Sequence, residues 1–348
     1  TKPTQHSVRE LRSIGILPDM IIARTDYPVE RELCDKIAQF CDVAPEAVVP
    51  LVTSDLLYEI PLLLEEHRVA DILLERLGME AKQEPDLMPW RWIVDELRRE
   101  KPVVKIGLVG KYVELHDAYI SVREAMNHAG LKVGVDVAVE WISSVDLERS
   151  GNEHLLEGLD GIIVPGGFGS RGVEGKILAA KYAREHQIPY LGLCLGLQVM
   201  LIEYSRNVLG LERANSSEFD NLTPDPIIDL MQDQKNLDKL GGTMRLGLYP
   251  CELQPGSLTQ KLYDAPLVEE RHRHRYEFNN AYREQLQSKG IVMSGLSPDG
   301  VLVEVAEIKD HPFMIGTQFH PEFISRPNHP HPLFVGFIGA ARTRKENQ

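Results

Sequence analysis

The chain has 348 residues and a formal net charge of −14, with 38 basic against 52 acidic side chains. Apolar residues make up 43% and charged residues 26%, globular proportions that exclude a disordered, collagenous or coiled-coil chain and, at roughly 150 residues per domain, suggest about two domains. The acidic balance argues against a general nucleic-acid binder, and no apolar run approaches the roughly 18–20 residues that span a bilayer.

In chain order, residues 20–24 read as a strand, 29–41 as a helix, 48–52 as a second strand and 60–77 as a helix. This is α/β material with too few strands for a whole domain. A polar stretch follows, then a short helix through Trp90, Trp92 and Leu97, closed by Glu100-Lys101-Pro102. We therefore expect an α/β fragment over 1–80, a linker over 81–103 and a complete domain over 104–348. In that domain strands are expected at 104–109, 135–142, 161–164, 188–191, 302–308 and 313–318. Helices are expected at 118–129, 175–185 and 197–204. The alternation predicts an open, mostly parallel sheet of flavodoxin-like type with helices on both faces, and a site at the carboxyl ends of its strands. Residues 219–240 lack periodicity and read as a surface excursion.

Four cysteines, Cys34, Cys41, Cys194 and Cys251, are too few and scattered for a disulfide scaffold, which fits a reducing cytoplasm. No signal peptide is visible. The chain opens on Thr1 without methionine, so we expect its natural start to be missing.

Chemistry concentrates in three places. At Gly192-Leu193-Cys194-Leu195-Gly196-Leu197-Gln198 an apolar strand runs through Gly-x-Cys-x-Gly into an apolar helix, the nucleophile-elbow pattern with a thiol in place of serine. Its glycines let the turn close, and the helix N-terminus favours a thiolate. The plain alternative is a buried structural cysteine. Next, His320-Pro321-Glu322 follows an apolar strand. In an extended segment both side chains face one way, and a thiolate nucleophile needs a histidine base held by a carboxylate. Taken alone, this pair reads rather as a surface histidine and glutamate at a strand end; the elbow upstream reverses that preference. Finally, Pro165-Gly166-Gly167-Phe168-Gly169 can present backbone N–H groups to an oxyanion. It lacks the lysine spacing of a phosphate loop.

Together these three motifs resemble the class I, Cys-His-Glu glutamine amidotransferases. Arg271-His272-Arg273-His274-Arg275-Tyr276-Glu277-Phe278-Asn279-Asn280, Gly241-Gly242-Thr243-Met244-Arg245-Leu246-Gly247, Val109-Gly110-Lys111-Tyr112 and Ala214-Asn215-Ser216-Ser217-Glu218-Phe219 narrow the resemblance to the CTP synthase family. Thr1-Lys2-Pro3-Thr4-Gln5-His6-Ser7-Val8 resembles its pyrimidine-nucleotide segment.

The resemblance implies Cys194 as nucleophile, His320 as base and Glu322 as its partner. Gly167 and Leu195 would supply oxyanion N–H groups. Leu195, Gly196, Leu197, Gln198, Glu218 and Arg275 would hold L-glutamine, whose ammonium and carboxylate suit a carboxylate and an arginine. Thr1, Lys2, Pro3, Thr4, Gln5 and Lys36 would contact UTP or CTP. GTP is the implied allosteric activator, with Phe168 and Arg245 as contacts. The family's ATP loop and magnesium carboxylates would lie upstream of Thr1, so no metal site is expected here and the chain alone is not expected to make CTP. The implied assembly of the full enzyme is a homotetramer.

Two other readings compete. A cysteine peptidase or γ-glutamyl hydrolase could use the same elbow, and a non-catalytic nucleotide-binding or assembly module would need none of the chemistry. Cys34, Cys41 and Cys251 read as packing residues, and His329-Pro330-His331-Pro332 as a rigid loop. Residues 271–275 read as a strand that presents arginines to small anions.

Overall fold

The computed structural model describes residues 1–230 and 244–348. Residues 231–240 of the expected excursion, and Gly241, Gly242 and Thr243, lie outside them. The chain divides into two compact units, Thr1–Glu100 and Lys101–Gln348.

The first unit holds α1 (Lys2–Ser13), β1 (Ile21–Thr25), α2 (Arg31–Cys41), β2 (Val48–Val52), α3 (Ile60–Glu66), α4 (Val69–Leu77) and α5 (Met88–Arg98). Strands β1 and β2 pair in parallel. A small core joins Val8, Ile21, Cys34, Ile37, Ala38, Cys41 and Val48, so Cys34 and Cys41 are packing residues, and burial raises both thiols. The single helix expected over 60–77 is two, because Arg68 turns into the left-handed region at φ 54°. Its apolar stripe continues across the break, which is why periodicity alone missed it. The helix expected in the linker is α5, and it belongs to this unit: Trp90 meets Tyr58 at 6.3 Å and Arg98 pairs with Glu59 at 2.5 Å.

The second unit begins with β3 (Val103–Gly110), α6 (Ile120–Val133), β4 (Asp136–Ser143), α7 (Ser144–Leu147), β5 (Gly161–Val164), α8 (Val173–Glu185), β6 (Tyr190–Leu193) and α9 (Leu195–Asn207). It continues with β7 (Ala214–Ser216), β8 (Asp225–Leu230), β9 (Arg245–Leu253), α10 (Leu258–Tyr263), β10 (Leu267–His274), β11 (Tyr276–Phe278), α11 (Arg283–Ser288), β12 (Ile291–Leu296), β13 (Val303–Ile308), β14 (Met314–Thr317) and α12 (Pro332–Glu346). One sheet runs β10-β9-β12-β13-β14-β6-β5-β3-β4. Strands β14, β6, β5, β3 and β4 pair in parallel, as the alternating pattern predicts. The other four join antiparallel. Residues 225–230, expected to be irregular, form β8 between β7 and β11 in a separate small sheet.

Both faces of the large sheet are covered. One core packs Val173, Ile177, Ala180, Leu197 and Leu201 of α8 and α9 against Ile162 and Tyr190. The other packs Val122 and Met126 of α6 and Phe334 and Phe337 of α12 against Ile106, Leu108 and Ile315. A fully buried side chain of this size contributes roughly 1.5–3 kcal/mol, so these two layers hold the central strands rigid. Strand order reverses around β3, with β4 on one side and β5 and β6 on the other, which marks the crevice at the strands' carboxyl ends as the binding position. Among the described residues no helix is long and apolar enough to cross a membrane.

Candidate active site

Cys194 sits where β6 ends and α9 begins, at φ 53° and ψ −99°. For a residue with a Cβ such a backbone costs of order 1–3 kcal/mol. It is held by its N–H donating to the Thr317 carbonyl at 2.6 Å and by its own carbonyl accepting from Leu197 and Gln198. The two elbow glycines are required by contact. A Cβ on Gly192 would stand 2.5 Å from the Gly196 carbonyl carbon, and one on Gly196 would stand 2.2 Å from the Val164 oxygen. Backbone atoms cannot swing away as a side chain can. Gly196→Ala is therefore expected to destabilise the fold by about 1–3 kcal/mol, read by urea unfolding. Helix α9 is buried along its first three turns, so its dipole acts on the sulfur with little screening.

His320 follows β14. Its backbone N–H donates to the Arg271 carbonyl at 2.8 Å, and its Nδ1 lies 2.8 Å from Glu322 Oε1. The local geometry differs from the expected extended segment. Pro321-Glu322-Phe323 forms a 3₁₀ turn, for which Pro321 supplies the fixed φ, and the turn brings Glu322 back onto the ring. The ring also stacks on Phe323. Burial disfavours a charged imidazole here, but hydrogen bonds to the Cys194 sulfur and Glu322, together with their charges, outweigh it and raise His320 to about 10. Gly166 packs directly against it, since a Cβ there would lie 2.9 Å from the ring and 3.5 Å from Cys194 Cβ.

The 165–169 turn is clamped from both sides. Lys111 Nζ donates to the Phe168 and Gly169 carbonyls at 2.6 Å, and the Gly169 N–H donates to Glu218 at 2.9 Å. Cys194 lies between two cavities. One is lined by Gly167, Phe168, Gln198, Glu218, Arg275 and Tyr276, with a volume of about 90 Å³. That is far below the roughly 300–1,000 Å³ of drug-sized clefts and suits a single small side chain. The other lies on the His320 side and is lined by Tyr119, Gly166, Arg273, Glu322 and Phe323 among others.

The structure therefore gathers Gly167, Phe168, Gln198, Glu218 and Arg275 on one side of Cys194 and His320 and Glu322 on the other, while Leu195 lies beside Gly167, Gly196 packs on the Val164 backbone and Leu197 turns into the core against Gly316. Thr1, Lys2, Pro3, Thr4, Gln5 and Lys36 belong to the first unit, where residues 2–5 open helix α1 and Lys36 lies exposed on α2. Arg245, expected as an effector contact, is buried, pairs with Glu304 at 2.6 Å and Glu277 at 3.7 Å, and lies over the Tyr249 ring. The expected arginine strand is β10, with Arg271 and Arg273 outward and His272 and His274 buried. Burial, then the mutual and Arg245 charges, drives His272 well down, while burial and Arg245 hold His274 down at about 3. The expected loop at 329–332 is partly a cap, in which the His331 side chain accepts from the Leu333 N–H at the start of α12. Among the described residues no group of three or more His, Cys, Asp or Glu is placed to hold a metal.

Sequence reasoning passed over two residues. Gln318 Nε2 lies 3.6 Å from the Cys194 sulfur. Lys176, wholly buried, donates to the Pro165 carbonyl at 2.9 Å. A lysine on the Val173, Ile177 and Ala180 face of a helix was a signal available from the sequence.

Residues 114–340 match the family model for class-I glutamine amidotransferases, and residues 1–79 match that for the CTP synthase N-terminus. The chain is 55% identical to a CTP synthase of Dehalococcoides mccartyi over 98% of its own length and 63% of the relative's. It is 59% identical to one from Roseiflexus castenholzii, over 98% of its length and 61% of the relative's. It thus spans under two thirds of the curated relatives it matches. Among solved structures, the Trypanosoma brucei CTPS glutaminase domain with bound acivicin superposes with a TM-score of 0.66 at 40% identity, covering 69% of this chain and 94% of that one.

Proposed function

The chain belongs to the CTP synthase family and carries a class-I glutamine amidotransferase domain, and from that premise we propose that Cys194, His320 and Glu322 hydrolyse L-glutamine to supply ammonia. In the whole protein that ammonia would aminate UTP, activated by ATP with magnesium, to CTP. The observation that carries the reading is the strained Cys194 at a helix N-terminus, sharing a cavity with His320, whose Nδ1 is held by Glu322 at 2.8 Å.

The Cys194 sulfur attacks the side-chain carboxamide carbon. The oxyanion is met by the N–H groups of Gly167 and Leu195, donors fixed before reaction and therefore effective. His320 gives its proton to the departing nitrogen, and the tetrahedral adduct collapses to a glutamyl thioester. His320, now neutral, takes a proton from water, which attacks the thioester and releases glutamate. Glu322 fixes the ring's tautomer and stabilises its charged form. Glu218 and Arg275, at the mouth of the small cavity, pair the substrate's α-ammonium and α-carboxylate.

Thr1, Lys2, Pro3, Thr4, Gln5 and Lys36 would serve the nucleotide half. Phe168, exposed on the turn that carries Gly167, and Arg245, at the start of β9, are the candidates through which GTP would act. A cytoplasmic tetramer is the setting we propose for the whole protein.

The test is glutamate release from L-glutamine, against Nα-acylated glutamine and γ-glutamyl peptides, with and without GTP. Release from free glutamine alone supports the reading. Preferential cleavage of the peptides would replace it with the hydrolase alternative. Arg275→Ala is expected to raise KM about 10–100-fold, the worth of one charge-assisted hydrogen bond, with kcat nearly unchanged. A peptidase would tolerate that change.

A further inference from the structure

Lys176 lies in the first turn of α8 and its side chain is wholly buried. A charged amine in such a place is costly unless nearby negative charge offsets it, and an apolar side chain of similar length would pack there at less cost. Among the described residues no ion pair reaches it, and its hydrogen bond goes to the Pro165 carbonyl. Its Nζ is 3.6 Å from the position a Cβ on Gly167 would take. The same turn faces Cys194 through Gly166. The Nζ therefore sits directly beside the backbone that presents the Gly167 N–H.

We infer that Lys176 is a positioning residue for the Cys194 centre: it fixes the Pro165-Gly166-Gly167 turn and offsets the negative charge that forms on the sulfur and on the oxyanion. This rests on the proposed glutaminase reading for its catalytic consequence, but not for its effect on the thiol. The electrostatics agree with the geometry. Burial brings Lys176 down to about 7, with Lys111 adding to the effect, and Cys194 is the group that opposes the shift. The side chain can thus gain its full charge when negative charge gathers at Cys194. That makes it a responsive counter-charge, where a permanently charged arginine would carry the burial cost throughout.

The test compares the parent chain with Lys176→Met, which keeps the length and loses the charge, and Lys176→Gln, which keeps a donor for the Pro165 carbonyl. Two readouts are taken. In glutamate release, kcat is expected to fall about 10²–10³-fold, the usual effect of disturbing one oxyanion donor, while KM moves less than about threefold. In alkylation of Cys194 by iodoacetamide, followed on the Cys194 peptide, the rate near pH 6.5 is expected to fall about tenfold and to converge with the parent at alkaline pH, as loss of one nearby cation predicts. The melting temperature is expected to hold or rise, because a buried charge is gone. An alkylation profile superimposable on the parent's would overturn the inference, read in Lys176→Gln should Lys176→Met not fold. Restoration of the parent profile by Lys176→Gln would overturn it too, since the charge would then be idle. If the parent releases no glutamate, the function reading fails, and the alkylation profile still decides the role of Lys176.

Discussion

Cys194→Ala is expected to remove glutamate release by at least about 10⁴-fold, because in the proposed mechanism it takes away the attacking atom of a triad that acts as a unit. The fold should survive. Alanine carries the same Cβ into the same backbone, so the strain at φ 53° is unchanged and the hydrogen bonds that hold the elbow are made by its backbone. The small cavity with Glu218 and Arg275 also remains, so glutamine should bind with little change, measurable by calorimetry. What remains is the oxyanion site, which alone accelerates such reactions by about 10³–10⁴ over water. Residual activity within tenfold of the parent, in a protein shown free of contaminating glutaminase, would sink the nucleophile assignment. Loss of binding together with loss of turnover would point instead to an altered pocket.

The elbow was legible in the sequence because its chemistry and its packing use the same letters. Gly192 and Gly196 are spaced by the turn, and the structure shows each pressed against backbone. His320 and Glu322 were legible as a pair but not as a geometry, since Pro321 opens a 3₁₀ turn where an extended chain was expected. Strands β9 and β10 were less visible as parts of the sheet. β10 buries Glu270, His272 and His274, and β9 buries Arg245 along with Cys251 and Leu253, so the alternation of burial is only partly matched by an alternation of hydrophobicity. β8 hides for a related reason: its Asp225-Pro226 start reads as a turn, while Ile227 and Ile228 are its buried part. Lys176 is the sharpest case. Charge normally marks the surface, and only the helix period places this residue in the core.

Glu322→Gln is expected to lower kcat about 10²–10⁴-fold with KM nearly unchanged, because the amide neither fixes the working tautomer nor stabilises the charged ring. It also makes a pH prediction whose sign is fixed by the shift at His320. Burial alone would lower this histidine; the Cys194 and Glu322 interactions raise it to about 10 in the folded protein, against roughly 6.5 in the unfolded chain. A group raised by folding stabilises fully below its unfolded value, and that stabilisation declines as pH rises through the folded value. The parent should therefore lose this contribution progressively between pH 6.5 and about 10. In Glu322→Gln one of the two raising partners is gone, so the window should narrow from its alkaline end and the slope of stability against pH should flatten. Urea unfolding of both proteins at pH 6, 8 and 9.5 reads this directly. The same change should bring the alkaline limb of glutamate release to lower pH, because in the proposed mechanism His320 carries the proton that the departing nitrogen takes. Parallel stability curves with an unmoved alkaline limb would mean that Glu322 does not hold the charge on His320, and the division of roles within the triad would have to be redrawn.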